Sequence, residues 1–250
     1  MSVKFNGVLV PDFIRIVGIS FSTVSDISIQ ESSTPNRIGN YDAGIERGAA
    51  MYTLDLQLID SSKSIFQMKR ELKAWLKGDN WKVSKLEFED NPGKYLLARL
   101  GSDAEINDLF THGETSIAFH CSDPREYDTD LTELSYSESD FNVPYEGLEK
   151  ASTVLTVTVP EAIPRIRIEH SQSGKSVTLT GSFVQGDIIL IDNDKKLVKV
   201  NDKITMKLVD YSTEWLYLDT GDNDFKIYKF GSGNFEPLNA EIELTYRGVD

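Results

Sequence analysis

Apolar residues recur at every second position through most of this chain, and one stretch alone carries a helical spacing. Val3 to Phe5 and Val8 to Val10 flank Asn6-Gly7, the dipeptide that most strongly marks a tight hairpin. Ile14 to Phe21 and Ile27 to Ile29 read as further strands. Ser32 to Gly48 is polar, contains Pro35 and glycines, lacks periodicity, and is expected to form a long loop or arm. Met51 to Ile59 then alternates, Tyr52, Leu54, Leu56 and Leu58 against Thr53, Asp55 and Gln57, as a half-buried strand requires. From Ser61 to Lys77 the period changes. Ile65, Met68, Leu72, Trp75 and Leu76 fall on one helical stripe, Ser61 or Ser62 is placed to cap it, and Gly78 is placed for its exit. Trp75 is therefore a core anchor. Strands resume over 81–89, 95–100 and 115–120, the first two separated by Asn91-Pro92-Gly93.

From Thr153 onward the pattern is entirely β. Runs at 154–159, 165–170, 176–179, 188–192, 196–200, 205–209, 214–218, 225–229 and 241–246 follow at roughly ten-residue spacing, with turn residues such as Ser173-Gly174, Gly186-Asp187 and Asn201-Asp202 in the gaps. Regular short strands with turn chemistry between them indicate a sandwich or a jelly roll. The fold class is mainly β: an α+β N-terminal domain with one main helix, then an all-β C-terminal domain.

Charge adds a boundary. The 250 residues carry 26 basic and 40 acidic side chains, a net charge of −14. Residues 126–149 hold Glu126, Asp128, Asp130, Glu133, Glu138, Asp140, Glu146 and Glu149 with no Lys or Arg, so more than half the net charge lies in a tenth of the chain. Such a block reads as a solvated, extended connector, with a contact strip for a basic partner as the alternative. The expected organisation is an N-terminal domain over 1–127, an acidic linker over 128–150 and a β-sandwich over 151–250. Overall acidity repels phosphate backbones and argues against nucleic acid. No run approaches the ~20 apolar residues of a membrane-spanning helix, and the early apolar stretch is broken by Asp12 and Arg15, unlike a signal peptide. A soluble protein is expected.

Candidate chemistry is sparse. Cys121 is the one cysteine, and His112, His120 and His170 are too scattered for a metal helix. Ser173-Gly174-Lys175-Ser176 resembles the end of a phosphate loop, but Glu169 stands where its first glycine belongs, so it reads as a hairpin turn. Asp192-Asn193-Asp194 and Asp222-Asn223-Asp224 resemble calcium loops, yet Lys196 and Lys226 interrupt the ligand alternation, and both read as turns. There is no Gly-x-Ser-x-Gly elbow, and His120 and Cys121, adjacent on a strand, point to opposite faces. No catalytic, cofactor-binding or metal-ligating residue is nominated, and no enzyme activity or cofactor is expected.

Phe119-x-Cys121-x-Asp123-Pro124-x-x-Tyr127, closing a β-rich first domain, resembles the distal tail proteins of long-tailed phages (siphophages) infecting Gram-positive bacteria. Phe5-Asn6-Gly7-Val8, the strand and helix from Leu54 to Trp75, Gly186-Asp187 to Asp192 with a hairpin at Asn201, Trp215-x-x-Leu218-x-x-Gly221-x-Asn223, and Ala240-x-Ile242-x-Leu244-x-Tyr246-Arg247 are also similar. Two departures are Asp202, where the family often has Gly, and Glu46-Arg47-Gly48, a loose match to its Gly-Arg-Asp-Gly loop. The resemblance implies a structural tail protein of the virion, assembled in the host cytoplasm and without membrane insertion. Its N-terminal domains would form a hexameric belt, a homo-oligomeric ring joining the tail tube protein to the tail-tip or baseplate proteins, with a galectin-like C-terminal sandwich outside. The competing reading is a carbohydrate-binding adhesin module for a host cell-wall saccharide. It would use Trp215, Tyr211, Tyr217 and Tyr228, but Trp215 and Tyr217 share a strand face and are expected to be core.

Overall fold

Asn6 and Gly7 both take positive φ, 52° and 74°, as the two central residues of a tight hairpin require, and they join β1 (Val3–Phe5) to β2 (Val8–Leu9). The computed structural model describes residues 2–21, 27–33, 38, 40–59, 62–101, 106–231 and 233–250. Contacts divide the chain into Met1–Glu126 and Tyr127–Asp250, and each unit has its own hydrophobic core.

The first unit continues with β3 (Ile14–Phe21), β4 (Ile27–Ser32), β5 (Tyr41–Arg47), β6 (Ala50–Leu58), α1 (Ile65–Lys77), β7 (Ser84–Phe88), β8 (Lys94–Leu100), α2 (Ile106–His112) and β9 (Glu114–Cys121). Antiparallel pairing gives the order β2-β1-β7-β8-β9-β6-β3, while β4 and β5 form a separate two-stranded sheet. Met68, Leu72, Trp75 and Leu76 of α1 join the core with Phe5, Leu54 and Phe119, and the Trp75 indole N–H donates to Val8 O at 3.0 Å. Burying four such side chains contributes roughly 1.5–3 kcal/mol each. The cap is Ser64, not Ser62, and Ser61 lies outside the described residues. Ser64 accepts from Gln67 N while the Gln67 side chain accepts from Ser64 N, a reciprocal box. Gly78 ends the helix at φ 50°, where a Cβ would stand 2.7 Å from Phe5 Cε1. Helix α2 was not expected, because its seven residues are too few to show a period.

The second unit begins with β10 (Glu126–Asp128), which crosses the division, then β11 (Thr132–Tyr136), β12 (Asp140–Tyr145), β13 (Ala151–Thr158), β14 (Ile163–His170), β15 (Lys175–Phe183), β16 (Ile188–Asp192), β17 (Leu197–Val200), β18 (Lys203–Ile204), β19 (Tyr217–Leu218), β20 (Gly221–Gly231), β21 (Asn234–Pro237) and β22 (Glu241–Tyr246). One sheet runs β11-β22-β13-β16-β17-β18 with β19 on β13, and the other β12-β20-β14-β15 with β21 on β20. Leu155, Val157, Ile189, Ile191, Ile242 and Leu244 from the first share a core with Val143, Ile166, Ile168, Val177, Leu179, Phe225 and Ile227 from the second. This is a β-sandwich.

The acidic strip is not a connector. Its residues form β11, paired with β22, and β12, paired with β20. Phe141, Val143 and Tyr145 are buried at alternate positions while Asp140, Asn142 and Pro144 face outward, so the strand keeps its acid on the wet side. Other expectations also change. Residues 205–209 form a 3-10 turn at Met206–Leu208, with Leu208 packed against the core. Only Tyr217–Leu218 of 214–218 pairs as a strand, and Asp222-Asn223-Asp224 belongs to β20 and pairs with β12.

Candidate assembly surface

Within the segment from Ser32 to Gly48, expected as a loop or arm, Tyr41–Arg47 is the second strand of a β-hairpin. Strand β4 pairs β5 with Ile27 opposite Arg47, Ser28 opposite Glu46 and Ile29 opposite Ile45, and a register shift follows at Gln30. The loss of visible alternation has that physical cause: the extra residue on β5 changes the face of every position beyond it. Period two then sorts the hairpin by face. Ser28, Gln30 and Glu46 share one side, where Gln30 Nε2 donates to Glu46 Oε2 at 3.1 Å and lies 3.4 Å from Ser28 Oγ. Ile27, Ile29 and Ile45 share the other with Arg47, and Ile29 and Ile45 are each 64% exposed. Three exposed isoleucines on so small a sheet are more apolar surface than such an element ordinarily shows to water.

Strand β3, which leads into the hairpin, lies at the end of its sheet and among the described residues pairs with β6 alone. Phe21 at its tip is exposed and stacks on Tyr52 at 5.7 Å, and Val17 is exposed as well. An open strand edge, on β3, and a sheet face with three exposed isoleucines, on β4 and β5, thus lie close together in sequence. Unpaired edges of this kind template pairing with another chain.

The residues weighed for chemistry, and set aside, fall elsewhere. Cys121 is fully buried, and burial, reinforced by the Asp123 carboxylate, pushes its thiol up to about 12. That protonated thiol is inert at neutral pH. His120 Nδ1 shares a 3.4 Å contact with Ser122 Oγ, away from the thiol. Asp123 accepts from Arg125 Nε at 2.8 Å and from Nη2 at 2.7 Å, fixing the turn that leaves the first unit. Residues 173–176 lie in the β14–β15 turn and its first paired positions, with Gly174 at φ 69°. Trp215 and Tyr217 are half-buried, whereas Leu216 and Leu218 between and beyond them are fully buried, so the strand face assigned to the core is the opposite one. Tyr228 is half-buried beside Phe235, and Tyr211 is fully exposed.

Sequence reasoning missed two buried amides. Asn223 donates to Asp219 O at 2.8 Å, Gly221 O at 2.9 Å and Val143 O at 3.2 Å, and its Oδ1 accepts from Asp219 N at 2.8 Å and lies 3.1 Å from His170 Nε2. Asn193 donates to Thr153 O and Oγ1 and accepts from Leu216 N at 2.9 Å. Both were read as turn residues. The signal that distinguishes them is flanking: each sits between carboxylates at the edge of an apolar run, where a strand must bond an irregular neighbour.

Residues 146–247 match the family described as siphovirus-type tail component, C-terminal domain. The second unit is thus similar to the C-terminal domain of siphovirus-type tail components. The crystal structure of Dit (gp 19.1) of phage SPP1, described as a paradigm of the hub adsorption apparatus in phages infecting Gram-positive bacteria, matches at TM-score 0.77 and 12% identity over 100% of this chain and 98% of that one. At that identity the likeness is one of fold, and it extends to both units. The baseplate of phage P2 in its activated conformation matches at TM-score 0.48 and 10% identity, over 98% of this chain and 97% of that chain with Ca, and 98% and 96% with Sr. No curated protein matches the sequence.

Proposed function

We propose that the protein forms a ring hub at the end of the tail, a hexamer in keeping with the family resemblance, that joins the tail tube protein to the tail-tip or baseplate proteins. The ring would assemble in the host cytoplasm before joining the virion. The observation that carries this reading is the β4–β5 hairpin, whose exposed Ile27, Ile29 and Ile45 follow the open edge strand β3 in the sequence. A ring needs a heterologous contact, one surface meeting a different surface on the next copy, and a projecting hairpin supplies the reaching half. The likeness to a protein described as part of a hub adsorption apparatus adds support.

The test is the variant Ile29→Glu with Ile45→Glu, two exposed positions whose substitution leaves both cores intact. Native mass spectrometry and negative-stain imaging of the unmodified chain should show a closed oligomer, and the variant should run as a folded monomer. A ring that survives both substitutions would remove the hairpin from the interface. The adhesin reading has less behind it: the half-buried Trp215 and Tyr217 pack against the sandwich core or pair into it. A saturable change in tryptophan fluorescence with micromolar cell-wall saccharide, abolished by Trp215→Ala, would restore it.

A further inference from the structure

Helix α1 presents a stripe that its core packing does not explain. Phe66, Arg70, Lys73 and Lys77 are exposed and lie within about 60° of one another at 100° per residue, away from the buried Met68, Leu72, Trp75 and Leu76. Phe66 is 83% exposed. One turn beyond Lys77, Trp81 N donates to Lys77 O at 2.8 Å, and Trp81 is half exposed at φ 67°, a backbone that bulky residues avoid. The stripe therefore runs from one exposed aromatic residue, past three cations, to another.

Neighbouring cations are engaged. Lys63 pairs with Asp12 at 2.9 Å and Glu71 at 2.7 Å, Lys69 lies over the Phe110 ring, and Lys85 over the Tyr95 ring. Arg70, Lys73 and Lys77 have no ion-pair or ring partner among the described residues, in a chain holding 40 acidic side chains. The helix dipole accounts for Lys77 in the last turn, but not for Arg70 and Lys73 nearer the middle.

A complementary surface exists in the same sequence. Asp130, Glu133, Glu138 and Glu146 are exposed without an ion-pair partner among the described residues, and Asp140 has only Lys226 at 3.8 Å. Leu131 is exposed among them. A cleft of about 540 Å³ opens in this strip, lined by Ser135, Tyr136, Glu138, Asp140 and Phe141 among others. Cations flanked by rings on one side meet carboxylates around an aromatic-floored cleft on the other.

We infer that the α1 stripe of one copy, Phe66 to Trp81, docks on the acidic strip of a second copy around Glu133 and Glu138. The contact rests on the assembly reading above and adds to it a second, charge-dependent junction between neighbours. Placed on two different surfaces, it is heterologous and propagates around a ring.

The experiment uses the full chain and two double reversals at exposed positions, Arg70→Glu with Lys73→Glu and Glu133→Lys with Glu138→Lys, each checked for an unchanged thermal transition. Assembly is followed by mass photometry at about 50 and 500 mM salt, where screening lengths differ several-fold. Each reversal alone should raise the half-assembly concentration about tenfold at low salt, as several weak ion pairs lost together would. An equimolar mixture of the two should restore assembly, because an alternating ring then satisfies every contact. Unchanged assembly in both reversals, while Ile29→Glu with Ile45→Glu still dissociates the ring, would overturn this junction and leave the ring standing. Loss on helix reversal without rescue in the mixture would place the stripe against a surface other than the acidic strip and overturn it too. A chain that is monomeric at every concentration would overturn both readings.

Discussion

Asn223 makes more hydrogen bonds than its size suggests, and all but the one to His170 close backbone groups. Replacing it with Ala takes this partner from the Asp219 N–H and from the carbonyls of Val143, Asp219 and Gly221. At roughly 1–3 kcal/mol for a buried unsatisfied group, Asn223→Ala should cost about 3 kcal/mol in urea unfolding of the second unit. His170, beside it, carries a pH signature. Burial pushes its imidazole below the ordinary value, against the opposing pull of the Asn223 bond and the Asp219 and Asp224 carboxylates. The unfolded chain then binds the proton more readily than the fold does. The contribution of this group is therefore fully present above about 6.5 and is lost as pH falls through that value toward the folded pKa. The urea midpoint should drop between pH 7.5 and 5.5, and His170→Gln should flatten that part of the slope; an unchanged slope would show that other groups dominate. Asp202, noted as a departure from the family glycine, takes φ 62° beside Asn201 at 49°. The turn tolerates it because Asn201 is fixed by Ile188 N and by Asp187, whose carboxyl is held below the usual range by the Val184 N–H and the Asn201 amide.

At the scale of elements, the strands β11 and β12 make a prediction opposite to the one their charge invites. Eight carboxylates without a cation suggest open chain, yet both strands sit in ladders. Hydrogen exchange should find the paired amides of residues 132–136 and 140–145 as protected as those of β13, with the intervening Ser137 to Ser139 turn exchanging quickly; uniform fast exchange would return the strip to a connector. The pattern was readable, for Phe141, Val143 and Tyr145 alternate as cleanly as Leu54 and Leu56, but charge was given more weight than period. Helix α1, the Asn6-Gly7 hairpin and most strands after Thr153 were legible because one side of each packs on a core and imprints its spacing. The β4–β5 hairpin was not, because both its faces meet solvent and a register shift breaks the alternation. The assembly surface was therefore visible only as an absence of pattern. Its isoleucines acquire meaning once the ladder places Ile29 against Ile45.

At the scale of the whole molecule, two separate cores imply that the second unit folds by itself. A fragment of residues 127–250 should unfold in one cooperative urea transition, since all its core residues lie within it. A fragment with exposed dye-binding surface and no cooperative transition would show that the first unit is needed. Entry and exit of this unit are neighbours: Tyr127 bridges Val249, Asp128 N donates to Gly248 O at 2.9 Å, and Thr132 pairs with Tyr246. Tyr145 fastens the same corner, its hydroxyl donating to Glu149 O at 2.8 Å and accepting from Val249 N at 3.0 Å. Mechanically, tension applied across 127 and 249 reaches the ladder one rung at a time, as a zip is opened, whereas tension across 136 and 249 would load several rungs together. Optical-tweezer traces should show a lower rupture force for the first pair of handles. A sandwich whose two chain ends meet at one corner transmits no pull through its interior, so a load passed between those ends leaves its core unstretched.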